Sequence, residues 1–141
     1  MKKLLIGLML TVSSLSIAQM TTYTNNLGCK VVEDVRANGT TLTVTQGDQH
    51  EIVGYGKDYS FGDFTYCSDE KADIDTFEGS QGTAILISCS EHQNGHEITR
   101  GRVDISKMQG QLTEVKVDGQ VDGFFGWKQE LNINCTNLVL Q

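Results

Sequence analysis

The chain has 141 residues, 38% of them apolar and 21% charged, with 15 glycines, four cysteines and no proline. That balance excludes a disordered or collagen-like chain and fits one small globular domain. Acidic residues number 18 against 11 basic ones, and the net charge of −7 repels phosphate backbones and argues against a nucleic-acid partner.

The first segment, residues 1–18, runs Met1-Lys2-Lys3, an apolar stretch Leu4 to Leu10, a Thr/Ser-rich stretch and then Ser16-Ile17-Ala18. It reads as a cleavable export signal with small residues at the cleavage point. A lipid-anchored alternative requires an acceptor cysteine directly after the apolar run. Cys29 comes too late for that, and Asn26 stands where an aliphatic residue is needed. The apolar stretch also falls short of the roughly 20 residues that span a bilayer, so no stable membrane insertion is expected. Residues 19–141 are then a single secreted or periplasmic domain. Losing Lys2 and Lys3 lowers the basic count from 11 to 9 against 18 acidic residues, a net charge of −9.

Four cysteines in an oxidising compartment predict two disulfides, with three possible connectivities. A four-thiolate zinc site is disfavoured, because Cys29, Cys67, Cys89 and Cys135 contain no closely spaced pair.

Beyond the signal, Thr, Val and Ile alternate with polar residues between Asn-Gly, Gly-Asp and Asp-Gly turns, the signature of strands and hairpins. The first hairpin spans Cys29 to Gln46 and turns at Asn38-Gly39, with Val35 opposite Leu42 on one face and Asp34 and Arg36 opposite Thr43 and Thr41 on the other. Strands follow at Gln49–Tyr55, Tyr59–Ser68 and Asp73–Glu78. The last of these pairs back on Thr83–Ser88 through Gly79–Gly82. A second hairpin turns at Asn94-Gly95 and sets Leu86 against Val103 and Ala84 against Ile105. A third turns at Asp118-Gly119-Gln120, with Val117 opposite Val121, and Leu131–Leu140 closes the series. These eight to ten strands predict an all-β fold: an up-and-down antiparallel barrel of about eight strands, or a two-sheet β-sandwich as the alternative. The barrel brings the start of its first strand beside the end of its last, which pairs Cys29 with Cys135. The Gly79–Gly82 turn brings Cys89 within reach of Cys67.

Candidate sites are few. His92 and His96 have the spacing of a helical metal pair, but the Asn94-Gly95 turn puts them on successive rungs pointing to opposite sides of a sheet. His50 falls beside a turn on the Thr face. Gly79-Ser80-Gln81-Gly82 lacks the strand-to-helix elbow of a nucleophilic serine. The pairs Glu33 with Asp34 and Asp69 with Glu70 have no spacing that defines a glycosidase. Asp73, Asp75 and Glu78, with Asp69 and Glu70, supply enough oxygen for a calcium ion, but the EF-hand ladder is missing, so no metal and no cofactor are expected. Asp118-Gly119 and Asp122-Gly123 raise the same question and read as turns.

Aromatic placement is the strongest pointer. Eight of the ten aromatics fall in two glycine-bearing stretches, Tyr55 to Tyr66 and Phe124 to Trp127. Neighbouring rings such as Phe124 and Phe125 cannot both face the core of a regular strand. Tyr55, Tyr59, Phe61, Phe124 and Trp127 are the expected binding residues, with packing in the core as the competing role. The function expected is non-catalytic: an acidic, disulfide-stapled domain that engages a partner protein or glycan. One version inhibits a basic extracellular enzyme such as lysozyme, toward which negative charge would speed encounter. The alternatives are a self-assembling envelope or surface subunit with exposed edge strands and a small hydrolase with a site on its loops.

Overall fold

The computed structural model describes residues 19–56 and 73–141. Within them lie ten strands and no helix: β1 (Gln19–Thr24), β2 (Cys29–Arg36), β3 (Gly39–Gln46), β4 (Gln49–Tyr55), β5 (Asp73–Glu78), β6 (Thr83–Gln93), β7 (His96–Met108), β8 (Gln111–Gly123), β9 (Gly126–Cys135) and β10 (Val139–Leu140). They form two antiparallel five-stranded sheets, ordered β10-β1-β2-β3-β4 and β5-β6-β7-β8-β9. The expected strand at Tyr59–Ser68 lies outside the described residues, as do Cys67, Asp69 and Glu70.

The all-β expectation holds, but the sheets do not close into a barrel. β4 is not hydrogen-bonded to β5, and β9 is not hydrogen-bonded to β10. After Cys135 the chain crosses back to the first sheet, where Tyr23 and Thr24 pair with Leu140 and Val139. The expected strand Leu131–Leu140 is therefore the end of one strand and a separate two-residue strand.

Alternation along each strand buries one face of each sheet. Val31, Leu42, Val44 and Val53 from the first sheet and Ile87, Val103, Ile105, Val115, Val117 and Ile133 from the second make one core, each at most 1% exposed. A bulge between Glu91 and His92 decides which face of β6 turns inward. Without it, Leu86 would oppose Val103 as the turn predicts. The extra residue instead places Ile87 against Val103 and Ile85 against Ile105, so the β-branched side chains enter the core and Leu86 faces outward. The Asn94-Gly95 turn itself is as expected, with φ of 52° and 80° supplying the left-handed pair that a tight hairpin requires.

Two other turns differ from expectation. Arg36 pairs with Gly39, which makes Ala37 and Asn38 the turn residues and puts Val35 opposite Thr40. Val35 and Leu42 still share a face. Asp118, Gly119 and Gln120 form no turn but run through the middle of β8. Gly119 sits between Gly101 and Leu131 at a buried rung where the register of β9 shifts, and its missing side chain is accommodated by sheet packing rather than by chain reversal.

Cys29 on β2 bonds Cys135 on β9, with Cα atoms 5.7 Å apart. The expected pairing is found, although the two residues face each other across the sheets instead of lying side by side in a barrel. Cys89 is also disulfide-bonded. Beside the bridge, the outer edge of β9 is capped by glutamines from the other sheet. The Asn134 N–H donates to Gln46 Oε1 at 2.9 Å, Gln46 Nε2 donates back to the Asn134 carbonyl at 3.3 Å, and the Asn132 N–H donates to Gln49 Oε1 at 2.8 Å. These side chains satisfy edge groups that would otherwise offer a strand-pairing template.

Elsewhere in the core, two inward-facing polar groups meet: Lys107 Nζ lies 2.5 Å from Glu33 Oε2, and Glu33 is only 4% exposed. Burial alone would lower the Lys107 ammonium's pKa. Its hydrogen bond to Glu33 and the neighbouring Tyr55, Glu33 and Tyr23 outweigh that and hold it above the usual lysine range. Burial pushes the Tyr55 hydroxyl up as well, with Lys107 opposing and Glu33 reinforcing the shift. Both groups bind protons more tightly in the folded chain, so their contribution is complete below the ordinary tyrosine and lysine values and is lost as pH rises beyond about 10.

Two predictions follow from these contacts. Replacing Cys29 and Cys135 with Ala should lower the urea-unfolding free energy by about 2–5 kcal/mol. Lys107→Met should cost about 3–5 kcal/mol by stranding the Glu33 carboxylate, and adding Glu33→Leu should recover most of that. The double variant should also lose part of the alkaline decline in stability above about pH 10 that the parent chain shows in urea titrations.

Candidate functional site

The second sheet is built from long strands, and its register gathers two turns at one end. Gln93 pairs with His96 and Thr99 pairs with Val121, so the β6–β7 turn and the β8–β9 turn project side by side. Inward-facing positions lose their cover there: Thr99 and Val121 are half-buried and Lys128 is exposed.

The β8–β9 turn reads Gly123-Phe124-Phe125-Gly126, with the glycines paired to each other. Gly126 takes φ of +110°, a conformation that side-chain-bearing residues rarely adopt, and so carries the backbone demand of the reversal. At Gly123 an added Cβ would sit 3.0 Å from the Gly126 carbonyl oxygen, so the approach of the two strands is close. Nothing in this geometry requires aromatic residues at the apex. Phe124 and Phe125 are nevertheless 97% and 99% exposed, with ring centroids 5.0 Å apart in an edge-to-face arrangement. They are covered by little except each other.

One rung behind, Trp127 pairs with Asp122 on the outer face of the sheet. The Arg100 guanidinium lies over its ring, with Cζ 4.0 Å from the centroid, while Arg100 Nε donates to Gln120 Oε1 at 2.7 Å. This stack fixes the Trp127 ring from one side and leaves the residue 38% exposed.

Behind the stack, the outer face holds a shallow groove of about 410 Å³ lined by Ser88, Ser90, Arg100, Arg102, Asp118 and Gln120 among others. Most of its charged groups are already engaged within the sheet. Arg102 pairs with Asp104 at 3.0 Å, which raises the guanidinium's affinity for its proton further, and Asp118 accepts a hydrogen bond from Gln129. Arg100, Arg102 and Asp118 are thus engaged within the sheet, and Asp73 and Glu97 complete the charged lining.

The structure separates the expected binding residues. Phe124 and Trp127 belong to the hairpin end. Tyr55 is 9% exposed and packs in the core cluster, so it joins no surface patch. Tyr59 and Phe61 lie outside the described residues. The weak calcium candidates do not converge: Asp73 and Asp75 face outward opposite Ser88 and Leu86, while Glu78 points to the other face. Among the described residues no group of three or more His, Cys, Asp or Glu side chains could hold a metal ion. His92 opposes Glu97 and His96 opposes Gln93, the successive rungs expected of them. Glu33 faces the core and its neighbour Asp34 faces outward, paired with Arg36 at 2.8 Å.

Arg100 is a residue of this end that the sequence does not signal. It lies 27 positions from Trp127, and only the β7–β8–β9 register brings them together. Comparison of the chain with protein-family models, with curated proteins and with solved structures finds no match. The fold and the site thus define it as an all-β, two-sheet, disulfide-bonded protein with an aromatic hairpin end.

Arg100→Ala should cost only about 0.5–1 kcal/mol of stability while moving Trp127 emission to longer wavelength, read by denaturant titration and by fluorescence of the folded state.

Proposed function

We propose that the chain is an exported, non-catalytic binding domain, a β-sandwich held by the bridges Cys29–Cys135 and Cys67–Cys89, whose contact element is the β8–β9 hairpin end. The observation that carries this reading is the near-complete exposure of two adjacent phenylalanines at a turn that needs only glycine. Their rings add nothing to the core, and covering them by a partner removes apolar area from water, which is favourable. A rigid hairpin presents them without an ordering cost in the backbone. Residues 1–18 and the disulfides support export. The inhibitor version rests on the acidic balance of the chain and would take a cationic enzyme as target.

Placing the photo-crosslinking residue p-benzoylphenylalanine at Phe125 in the producing cell should yield a discrete adduct. The same residue at Gln111, at the opposite end of β8, should yield none. A Phe125 site that captures neither protein nor lipid would sink the hairpin as contact element. For the inhibitor version, excess protein should block lysis by a basic lysozyme, and the Phe124→Ser, Phe125→Ser variant should not; undiminished lysis removes that version.

A further inference from the structure

We infer that the β8–β9 hairpin end docks on the interface of a lipid bilayer with zwitterionic headgroups, Phe124 and Phe125 entering the headgroup–acyl boundary. This rests on the hairpin being the contact element. Three observations choose the occupant.

The apex carries no side chain that could fix orientation. Glycine, phenylalanine, phenylalanine and glycine offer rings and backbone only, and the two rings lean on each other. Specific pockets in proteins set orientation with a few placed polar groups; a fluid hydrocarbon boundary asks for none.

The residues are also layered by depth. The two phenylalanines stand outermost at 97% and 99% exposure, Trp127 follows one rung back at 38%, Arg100 lies over its ring, and Lys128 is exposed on the sheet's other face at the next rung. Successive strand positions are about 3.3 Å apart, so rings at the acyl boundary place the indole and the two cations at headgroup depth. Aromatic residues with one polar end, and long cationic side chains, favour that level.

Charge selects the headgroup. Near the two turns stand Glu91, Glu97 and Asp122 against Lys128, with His92 and His96 alongside and Arg100 behind. Among the described residues there is no basic cluster of the kind that adsorbs to anionic lipid, and the whole chain is acidic. Attachment is therefore apolar and tolerant of salt. Two rings bury less than one acyl chain, so the contact is reversible and spans nothing.

The test uses the intact disulfide-bonded chain and its only tryptophan, Trp127, as reporter. Adding phosphatidylcholine vesicles should shift its emission to shorter wavelength, and phosphatidylcholine brominated on the acyl chain should quench it. The shift should persist in high salt and weaken when phosphatidylglycerol is mixed into the vesicles. Each of Phe124→Ser and Phe125→Ser should reduce partitioning by about tenfold with an unchanged circular dichroism spectrum. Phe77→Ser, which removes an exposed ring on β5, should leave partitioning unchanged. No shift on any vesicle, or a shift that the hairpin variants leave intact, overturns the bilayer as occupant. If vesicles are silent while the Phe125 crosslinker captures a protein, the contact element stands and the occupant is wrong. If both are silent, the hairpin reading fails as well.

Discussion

The tie between β2 and β9 is the contact on which the rest of the architecture depends. Cys29 and Cys135 join residues 106 positions apart, so the bridge removes a large share of the unfolded chain's freedom. It also pins the free edge of β9 against the end of the β3–β4 hairpin. Gln46 and Gln49 complete that corner by acting as short stand-ins for a neighbouring strand. An edge that would otherwise recruit another chain is occupied from within.

Glu33 and Lys107 connect the sheets a second time, by charge. A buried pair of this kind adds little net stability compared with an apolar pair of the same volume, because both ions have left water. It does constrain how the sheets sit, since sliding β7 along the facing sheet would strand a carboxylate in the core. Covalent and ionic ties thus join the two sheets at separate places around the apolar core.

With its lower half held in this way, the second sheet can extend its hairpins past the core. The outer rungs of β8 and β9 are stabilised by ladder hydrogen bonds and by the Arg100–Trp127 stack, with little burial, and end on two unsupported phenylalanines. Such an arrangement is a rigid arm with an apolar end. Its usefulness lies in what covers those rings, and the absence of orienting polar groups at the apex favours a partner that is soft and extended over one that is sculpted.

Much of this was legible from the amino-acid order alone. Alternation in Asp73–Glu78 and Gln49–Tyr55, the Asn94-Gly95 turn and the Gly79–Gly82 reversal are local signals, set by side-chain period and backbone sterics. Each appears in the structure at the expected residues. The Cys29–Cys135 bridge was legible as well, although through a barrel that does not form. What the order of residues left open were quantities that depend on distant neighbours. β1 has no clear alternation of its own and becomes a strand by pairing with β2. The bulge at Glu91 and His92 exchanges the two faces of β6 because the facing sheet accepts Ile85 and Ile87. Gly119 reads locally as a turn, yet becomes a mid-strand residue because β7 and β9 flank it. Tyr55 and Phe124 looked alike as aromatic residues beside glycine; one is in the core and the other in water. Local periodicity and turn chemistry are properties of a few consecutive residues, whereas burial is decided by which strands, tens of positions away, come to lie across them.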